Sequence, residues 1–120
     1  MANEINASVS LSVSKSGAKV NRAESISVDM SGESYASGVQ SITNSGGEAL
    51  DLAEGGVGTS GYVFIKNLDS TNYVTFGSHT TANHTIKLKA GECALFRAAG
   101  AIYGLANTAA CLVEFAVIED

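Results

Sequence analysis

The feature that most constrains this chain is a strict alternation of apolar and polar residues near its start. Ile5, Ala7, Val9, Leu11 and Val13 are apolar, and every residue between them is an asparagine or a serine. Successive side chains of a β-strand point to opposite faces, so this pattern predicts a strand with one apolar and one polar face. The same period of two recurs along most of the chain, which predicts an all-β fold.

Turn-forming residues divide the chain into about nine or ten candidate strands with short connections. Residues 62–65 are apolar at every position, so both faces of the predicted strand are apolar, as is typical of a central strand. Residues 68–72 are predicted to form a hairpin connection to the next strand. We therefore predict an antiparallel, jelly-roll-like β-sandwich of about 8–10 short strands. The candidate strands cover residues 5–13, 25–31, 36–43, 48–52, 62–65, 73–76, 85–89, 93–97, 102–106 and 111–118.

The two halves of the chain differ in composition. Seven of the eight aromatic residues lie at or after Tyr62, whereas 13 of the 15 serines lie at or before Ser60. Because aromatic side chains supply large buried area, the second half is expected to hold the core. We predict one β domain over residues 1–120, with a Ser-rich ribbon or arm over 1–47 and an aromatic-rich sandwich over 48–120.

The charge content argues against several classes of partner. Only 16% of residues are charged, the net charge is -5, and the two arginines, Arg22 and Arg97, are far apart in sequence. Binding to nucleic acid or to an anionic membrane surface needs clustered Lys and Arg, so neither is expected. No apolar stretch approaches the roughly 20 residues of a membrane helix. The first six residues lack the basic and apolar regions of a signal peptide, so we expect synthesis in the cytoplasm.

Candidate nucleophiles and metal ligands are few. His79 and His84 lie five residues apart in one predicted loop without a third ligand nearby, which is typical of solvated histidines rather than of a metal site. Cys93 and Cys111 lie in apolar segments, and we expect two buried free thiols. A disulfide between them stays open as an alternative, on condition that their strands pair in an oxidising environment.

The acidic and glycine-rich segments do not match known ligand loops. Glu48, Asp51 and Glu54 lack the alternating oxygen ligands of a calcium loop, which favours a solvated acidic edge. Residues 55–61 are rich in glycine but have no Gly-Lys-Ser/Thr ending, so a phosphate-binding loop is not expected. We therefore predict a protein that is not an enzyme, with no catalytic residues, no metal, no cofactor and no small-molecule substrate.

Three stretches of the second half resemble a known group of proteins. They are GYVFIKNLD at 61–69, IKLKAGE at 86–92, and ANTA at 106–109 together with VEFAVIED at 113–120. In combination they resemble small virion structural proteins of tailed bacteriophages, and the resemblance covers roughly residues 48–120. These stretches are scaffold motifs, so the function they imply is associational.

The resemblance implies a capsid decoration or cement protein. Such a protein binds the head surface of the virion in many copies, contacts the major capsid protein, assembles as a homotrimer and is synthesised in the host cytoplasm. The N-terminal segment suits pairing with a neighbour, which makes its apolar residues the candidate subunit or capsid interface. The alternative, that this segment is the first strand of the domain's own sandwich, stays open. The candidate interface residues are Ile5, Ala7, Val9, Leu11 and Val13.

Two other functions remain as alternatives. A tail, neck or fibre component has the same β pattern and low charge. A carbohydrate-binding module needs exposed aromatic platforms, and its candidates are Tyr35, Tyr62, Tyr73 and Tyr103. Most of these tyrosines lie within strand patterns that predict burial, which disfavours the carbohydrate-binding function.

Overall fold

The alternating residues form one strand of a two-stranded ribbon in the computed structural model, and the strands that follow the ribbon form a sandwich. The structure describes residues 4–50 and 57–119, which form ten β-strands and no helix. The chain divides into two compact units, Met1–Ser31 and Gly32–Asp120. The strands are β1 (Ile5–Lys15), β2 (Ala18–Val28), β3 (Tyr35–Ile42), β4 (Glu48–Ala49), β5 (Ser60–Asn67), β6 (Val74–Gly77), β7 (His84–Leu88), β8 (Cys93–Arg97), β9 (Tyr103–Ala106) and β10 (Cys111–Glu119).

The first unit contains the antiparallel ribbon of β1 and β2. Lys15 pairs with Ala18 beside the turn, and the pairing continues in step to the far end of the ribbon. The turn residues have positive φ angles, 52° at Ser16 and 85° at Gly17, as in type I′ turns, whose twist matches that of paired strands. The predicted turn is confirmed, but the second strand begins at Ala18 and not near residue 25.

The second unit is a sandwich of two four-stranded antiparallel sheets, with strand orders β3-β10-β5-β8 and β4-β9-β6-β7. The pairing is nested, because β3 pairs with β10, β4 with β9, β5 with β8 and β6 with β7. This is the connectivity of a long hairpin folded over on itself, which is the jelly-roll arrangement. The predicted all-β, jelly-roll-like sandwich is therefore confirmed.

The core lies between the two sheets. Alternate residues of β5 and β10 are buried, as expected when one face of each strand is turned toward the core. Tyr62 and Phe64, on the other face of β5, are only half-buried. Residues 62–65 were predicted to form a central strand, and β5 does lie between β10 and β8. Its outer face is only partly covered, because a two-layer sandwich buries one face of each sheet. Among the described residues, the largest fully buried apolar side chains are Ile42, Val63, Ile65, Val74, Phe76, Cys111, Val113 and Val117.

The sandwich begins earlier in the chain than the composition indicates. Strand β3 pairs with β10 along its full length, so the two units divide at Ser31 and not at residue 47. The short strand predicted over 48–52 is limited to Glu48–Ala49, and residues 51 and 52 lie outside the described residues.

The connection over residues 68–72 is a turn, but it does not form a hairpin. Asp69 Oδ2 accepts hydrogen bonds from the backbone N–H groups of Asn72 (2.6 Å) and Thr71 (3.0 Å), and these bonds lower the pKa of its carboxyl group. Strand β5 pairs with β10 and β8, and β6 lies in the other sheet. The predicted hairpin was therefore wrong, because the chain crosses between the sheets at this turn.

Asn67, the last residue of β5, bridges the two sheets at this crossing. Its side chain is fully buried. Its Nδ2 donates to the carbonyl oxygens of Leu88 at 3.0 Å and Asn72 at 2.9 Å, and its Oδ1 accepts from the backbone N–H of Asp69 at 2.9 Å. Because Leu88 ends β7 in the opposite sheet, these bonds hold the two layers together where the chain changes sheet.

Glu119, at the end of β10, ties two loops to the last strand. Its Oε1 accepts from the backbone N–H groups of Glu33 at 2.9 Å and Ser34 at 3.1 Å, and its Oε2 accepts from that of Gly58 at 3.1 Å. Hydrogen bonds to a carboxylate favour its charged form. The Glu33 N–H, followed by those of Gly58 and Ser34, therefore lowers the pKa of Glu119.

Candidate interaction surface

The ribbon has one mainly apolar face and one polar face. The register of the hairpin places Ala7 opposite Ile26 and Val13 opposite Val20, so apolar side chains from both strands share a face. All five residues predicted as the interface lie on this face, because they occupy alternate positions of β1. We call it the ribbon face, and it consists of Ile5, Ala7, Val9, Leu11 and Val13 from β1 with Val20, Arg22, Glu24, Ile26 and Val28 from β2.

The predicted interface residues differ in exposure. Val9 is 52% exposed, Leu11 59% and Val13 48%, whereas Ile5 is buried and Ala7 is half-buried. Single exposed apolar residues are common on protein surfaces, whereas several of them on one face form an apolar patch, and such patches are often functional. On β2, Val20 (45%) and Ile26 (43%) extend this strip.

The opposite face of the ribbon is polar and helps to fix its register. Ser27 Oγ donates to Asn6 Oδ1 at 2.7 Å, across a directly paired position. The backbone N–H of Met30 donates to Glu4 Oε1 at 3.1 Å, which joins the two ends of the ribbon. A one-residue slip would exchange the two faces, so these bonds help to present the apolar residues together.

The contribution of β2 to this face was not predicted from the sequence. Val20, Arg22 and Glu24 alternate with polar or small residues, but the two charges interrupt the apolar pattern that was used to find strands. Reflecting the sequence of β1 about the turn at Ser16 and Gly17 aligns Val20 with Val13, as the structure does. The hairpin symmetry is therefore the signal that identifies them.

The two histidines lie close together, but one of them is built into the fold. Nε2 of His84 donates to the carbonyl oxygen of His79 at 2.6 Å, and Nδ1 of His84 lies 2.9 Å from the Thr75 hydroxyl. His79 is exposed as predicted, whereas His84 is half-buried at the start of β7 and not in the loop. Both ring nitrogens of His84 are thus engaged with the chain itself.

Of the three acidic candidates, only Glu48 lies within the described residues. Glu48 accepts hydrogen bonds from Gln40 Nε2 at 3.2 Å and from the backbone N–H of Thr43 at 3.1 Å, while Asp51 and Glu54 lie outside the described residues. Within residues 4–50 and 57–119, no group of three or more His, Cys, Asp or Glu side chains is placed to hold a metal ion.

The two cysteines are free and occupy different environments. Cys111 is buried, and burial, followed by the charge of Asp69, raises the pKa of its thiol. Cys93 is exposed, because it pairs with Lys66 on the face of β5 that is turned away from the core. The prediction of two buried thiols was therefore wrong for Cys93. Strand β5 lies between β8 and β10, so the strands of the two cysteines do not pair and the alternative disulfide is not formed.

The four tyrosines differ in exposure. Tyr35 is 66% exposed on the edge strand β3, and Tyr73 is 36% exposed with the Lys87 ammonium 4.2 Å from its ring centroid. Tyr62 and Tyr103 are half-buried. The expected burial was wrong for Tyr73, which lies just before β6. Tyr35 lies outside the strand predicted over 36–43, so its exposure contradicts no prediction.

Among the candidates named from the sequence, the ribbon face brings several exposed apolar side chains together on one surface. In the part of the chain that the structure describes, there is no helix of the length and hydrophobicity needed to cross a membrane. No protein-family model, curated protein or solved structure matches this chain. The ribbon face is therefore the feature from which a function is inferred.

Proposed function

We propose that this chain is a non-enzymatic virion structural protein that decorates the head of a tailed bacteriophage in many copies and stabilises it. Its partners are the major capsid protein and other copies of itself. The observation that carries the proposal is the ribbon face, where Val9, Leu11 and Val13 are each about half exposed. A group of exposed apolar side chains on one face is often a functional contact surface.

The energetics of the ribbon favour a partner. A two-stranded hairpin is only marginally stable in water unless its apolar face packs on something else. Full burial of a Val, Leu or Ile side chain contributes about 1.5–3 kcal/mol, so covering five half-exposed residues contributes about 5 kcal/mol before costs. Association costs about 4–15 kcal/mol. A single ribbon contact is therefore weak, and attachment in many copies gains strength through avidity.

The assignment to a virion rests on the resemblance over residues 48–120 and on the fold. Jelly-roll sandwiches recur in viral capsid and lectin domains, which is an analogy at the level of fold only. The low charge of the chain, 16% of its residues, suits a surface that other subunits cover. In this proposal the protein is made in the host cytoplasm and resides on the head surface.

A pair of ribbon variants tests the proposal. Leu11→Lys places a charge on the ribbon face, whereas Ser10→Lys places the same charge on the opposite face, beside Ala23. We expect Leu11→Lys to weaken cosedimentation with undecorated heads at least about tenfold, and Ser10→Lys to bind like the native chain. Equal binding by both variants, with unchanged circular dichroism, would show that the ribbon face is not the attachment surface.

Copy number separates the head from the tail. For a decoration protein, quantitative mass spectrometry of purified virions is expected to give on the order of hundreds of copies per particle. Many copies are needed because each contact is weak and attachment depends on avidity. About a dozen copies or fewer would instead assign the chain to the tail, neck or fibre.

The exposure of Tyr35 favours one function of a different class. A ring that is 66% exposed can stack on a sugar, as in a carbohydrate-binding module. Glycan-array binding that is lost in Tyr35→Ala but kept in Leu11→Lys would support that function over attachment by the ribbon.

A further inference from the structure

The outer face of the sheet β3-β10-β5-β8 carries exposed apolar side chains, among them Val39 (59% exposed) and Leu112 (53%). Val63 and Ile65 point into the core, so the alternate residue Phe64 lies on the outer face and is half-exposed. We call this surface the sheet face. Its apolar and aromatic members include Tyr35, Val39, Phe64, Leu95, Leu112 and Ala116.

At the centre of the sheet face, one cross-strand pair combines a large and a small side chain, and a second combines a positive and a negative charge. Phe64 on β5 lies directly beside Ala116 on β10, a large side chain beside a small one. Two residues further along, Lys66 lies beside Glu114, a cation beside an anion. Both pairs involve the same two strands, which are the inner strands of the sheet.

We propose that the sheet face binds a second copy of this chain, face to face, about a two-fold axis that runs parallel to β5 and β10 and midway between them. Such an axis places β5 of one copy over β10 of the other. Phe64 then lies over the partner's Ala116, and Lys66 lies over the partner's Glu114. Each pair is repeated by the symmetry, as in any isologous interface.

Size and charge complementarity are what favour a second copy. Packed sheets lie about 10 Å apart, and large residues must meet small ones for the layers to interdigitate at that distance. The axis satisfies this requirement for Phe64 and Ala116, and it converts each charge pair into a contact between opposite charges. Charge complementarity contributes mainly to orientation and to the exclusion of wrong partners.

The area of the sheet face is sufficient for such a pair. Four strands of five to nine residues, about 4.8 Å apart and at roughly 3.3 Å per residue, cover about 480 Å². Two copies then bury about 1,000 Å², which is near the lower bound for a specific interface. We therefore expect a pair that forms in the micromolar range and dissociates on dilution.

Reciprocal charge reversal tests this proposal. Glu114→Lys brings two cations together across the axis, and Lys66→Glu brings two anions together, so each variant alone is expected to pair at least about tenfold more weakly than the native chain. In an equimolar mixture of the two variants, both contacts again join opposite charges, and pairing returns. Because the rescue occurs between chains, an effect of either substitution within one chain does not produce it.

The readout is the mass of the particle in solution by sedimentation and light scattering, at loading concentrations from about 1 to about 100 μM. Lys89→Glu is the control for Lys66→Glu, because it makes the same change in charge just beyond β7, a strand of the other sheet. It is expected to pair like the native chain. Circular dichroism confirms that each variant is folded. Phe64→Ala and Ala116→Phe give a second reciprocal set that tests packing without charge.

Three results would overturn the proposal. They are a native chain that stays single at every concentration, a mass of three chains as the bacteriophage resemblance implies, and folded charge variants that do not pair when mixed. Loss of head binding by the ribbon variants is a separate measurement, so the attachment proposal and the pairing proposal can fail independently.

Discussion

Asn67 should be among the most costly positions to change in the sandwich. Its side chain is fully buried and makes three hydrogen bonds, to the carbonyls of Leu88 and Asn72 and from the N–H of Asp69. Each such bond contributes about 1 kcal/mol, and truncation also leaves a small cavity. Asn67→Ala is therefore expected to lower the free energy of unfolding by about 3–5 kcal/mol, a large part of the roughly 5–15 kcal/mol of a typical domain.

Urea denaturation followed by circular dichroism measures this loss. With a slope of about 2 kcal/mol/M, the midpoint should fall by about 2 M without a change in slope. Asn107→Ala is the matched control, because the Asn107 side chain is exposed and its Oδ1 accepts one bond from the Tyr73 N–H at 3.1 Å. It should cost about 1 kcal/mol or less.

Asn67→Leu separates the hydrogen bonds from the packing. Leucine fills nearly the same volume, but it leaves the two carbonyls and the N–H group without their partner. If unsatisfied polar groups dominate the cost, Asn67→Leu should be nearly as destabilising as Asn67→Ala. A cost for Asn67→Ala no greater than that of Asn107→Ala would refute the reasoning, since burial and bond count would then have no energetic consequence.

Three further predictions concern other parts of the sandwich. The folded pKa of Glu119 lies below its ordinary value of 4.5, so its carboxylate stabilises the fold above pH 4.5. In urea titrations, the difference in stability between the native chain and Glu119→Gln should therefore disappear as the pH falls below 4.5. Gly47 has a φ of 70° and its Cα faces the Thr80 backbone, so Gly47→Ala should lower the melting temperature, and an unchanged melting temperature would contradict the packing. With a disulfide-exchange reagent, Cys93 should react quickly and Cys111 only on unfolding; fast reaction of both thiols would contradict the burial of Cys111.

Local patterns predicted the strands well, because the alternation of apolar and polar residues that indicates a strand lies within the strand itself. The alternation from Ile5 to Val13 identified β1, and the tight turn after it was visible from Ser16 and Gly17. The start of β2 was missed because Arg22 and Glu24 stand at positions on the apolar face. A charged residue at such a position removes the pattern without removing the strand.

The pairing of the strands was less accessible, because it depends on residues far apart in the chain. Residues 68–72 have the turn chemistry of a hairpin, and Asp69 does form the expected bonds. Whether that turn returns the chain to the same sheet is decided elsewhere, by β10 and β8, which occupy both sides of β5. The burial of Asn67 follows from the same crossing and had no signal in the local sequence.

The candidate interface shows the same limit. The alternation placed five residues on one face of β1, and the structure confirms that they share it. What the sequence did not indicate is the sheet face, because an apolar run such as 62–65 indicates burial without saying what covers each side. Phe64 lies on the face of β5 that is turned away from the core. The register between β5 and β10, which the local sequence does not determine, places it beside Ala116.

The ribbon face and the sheet face differ in area, and this difference suggests a separate role for each. The ribbon face is about 36 Å long and two strands wide, which gives about 350 Å², less than the sheet face and too little for two ribbons to hold each other by this contact alone. The sheet face therefore suits pairing, and the ribbon face suits attachment to a larger surface. If both proposals hold, a pair of chains carries two ribbons, which makes attachment bivalent and raises its avidity. Glu114→Lys should then weaken both pairing and head binding, whereas Leu11→Lys should weaken head binding and leave pairing intact.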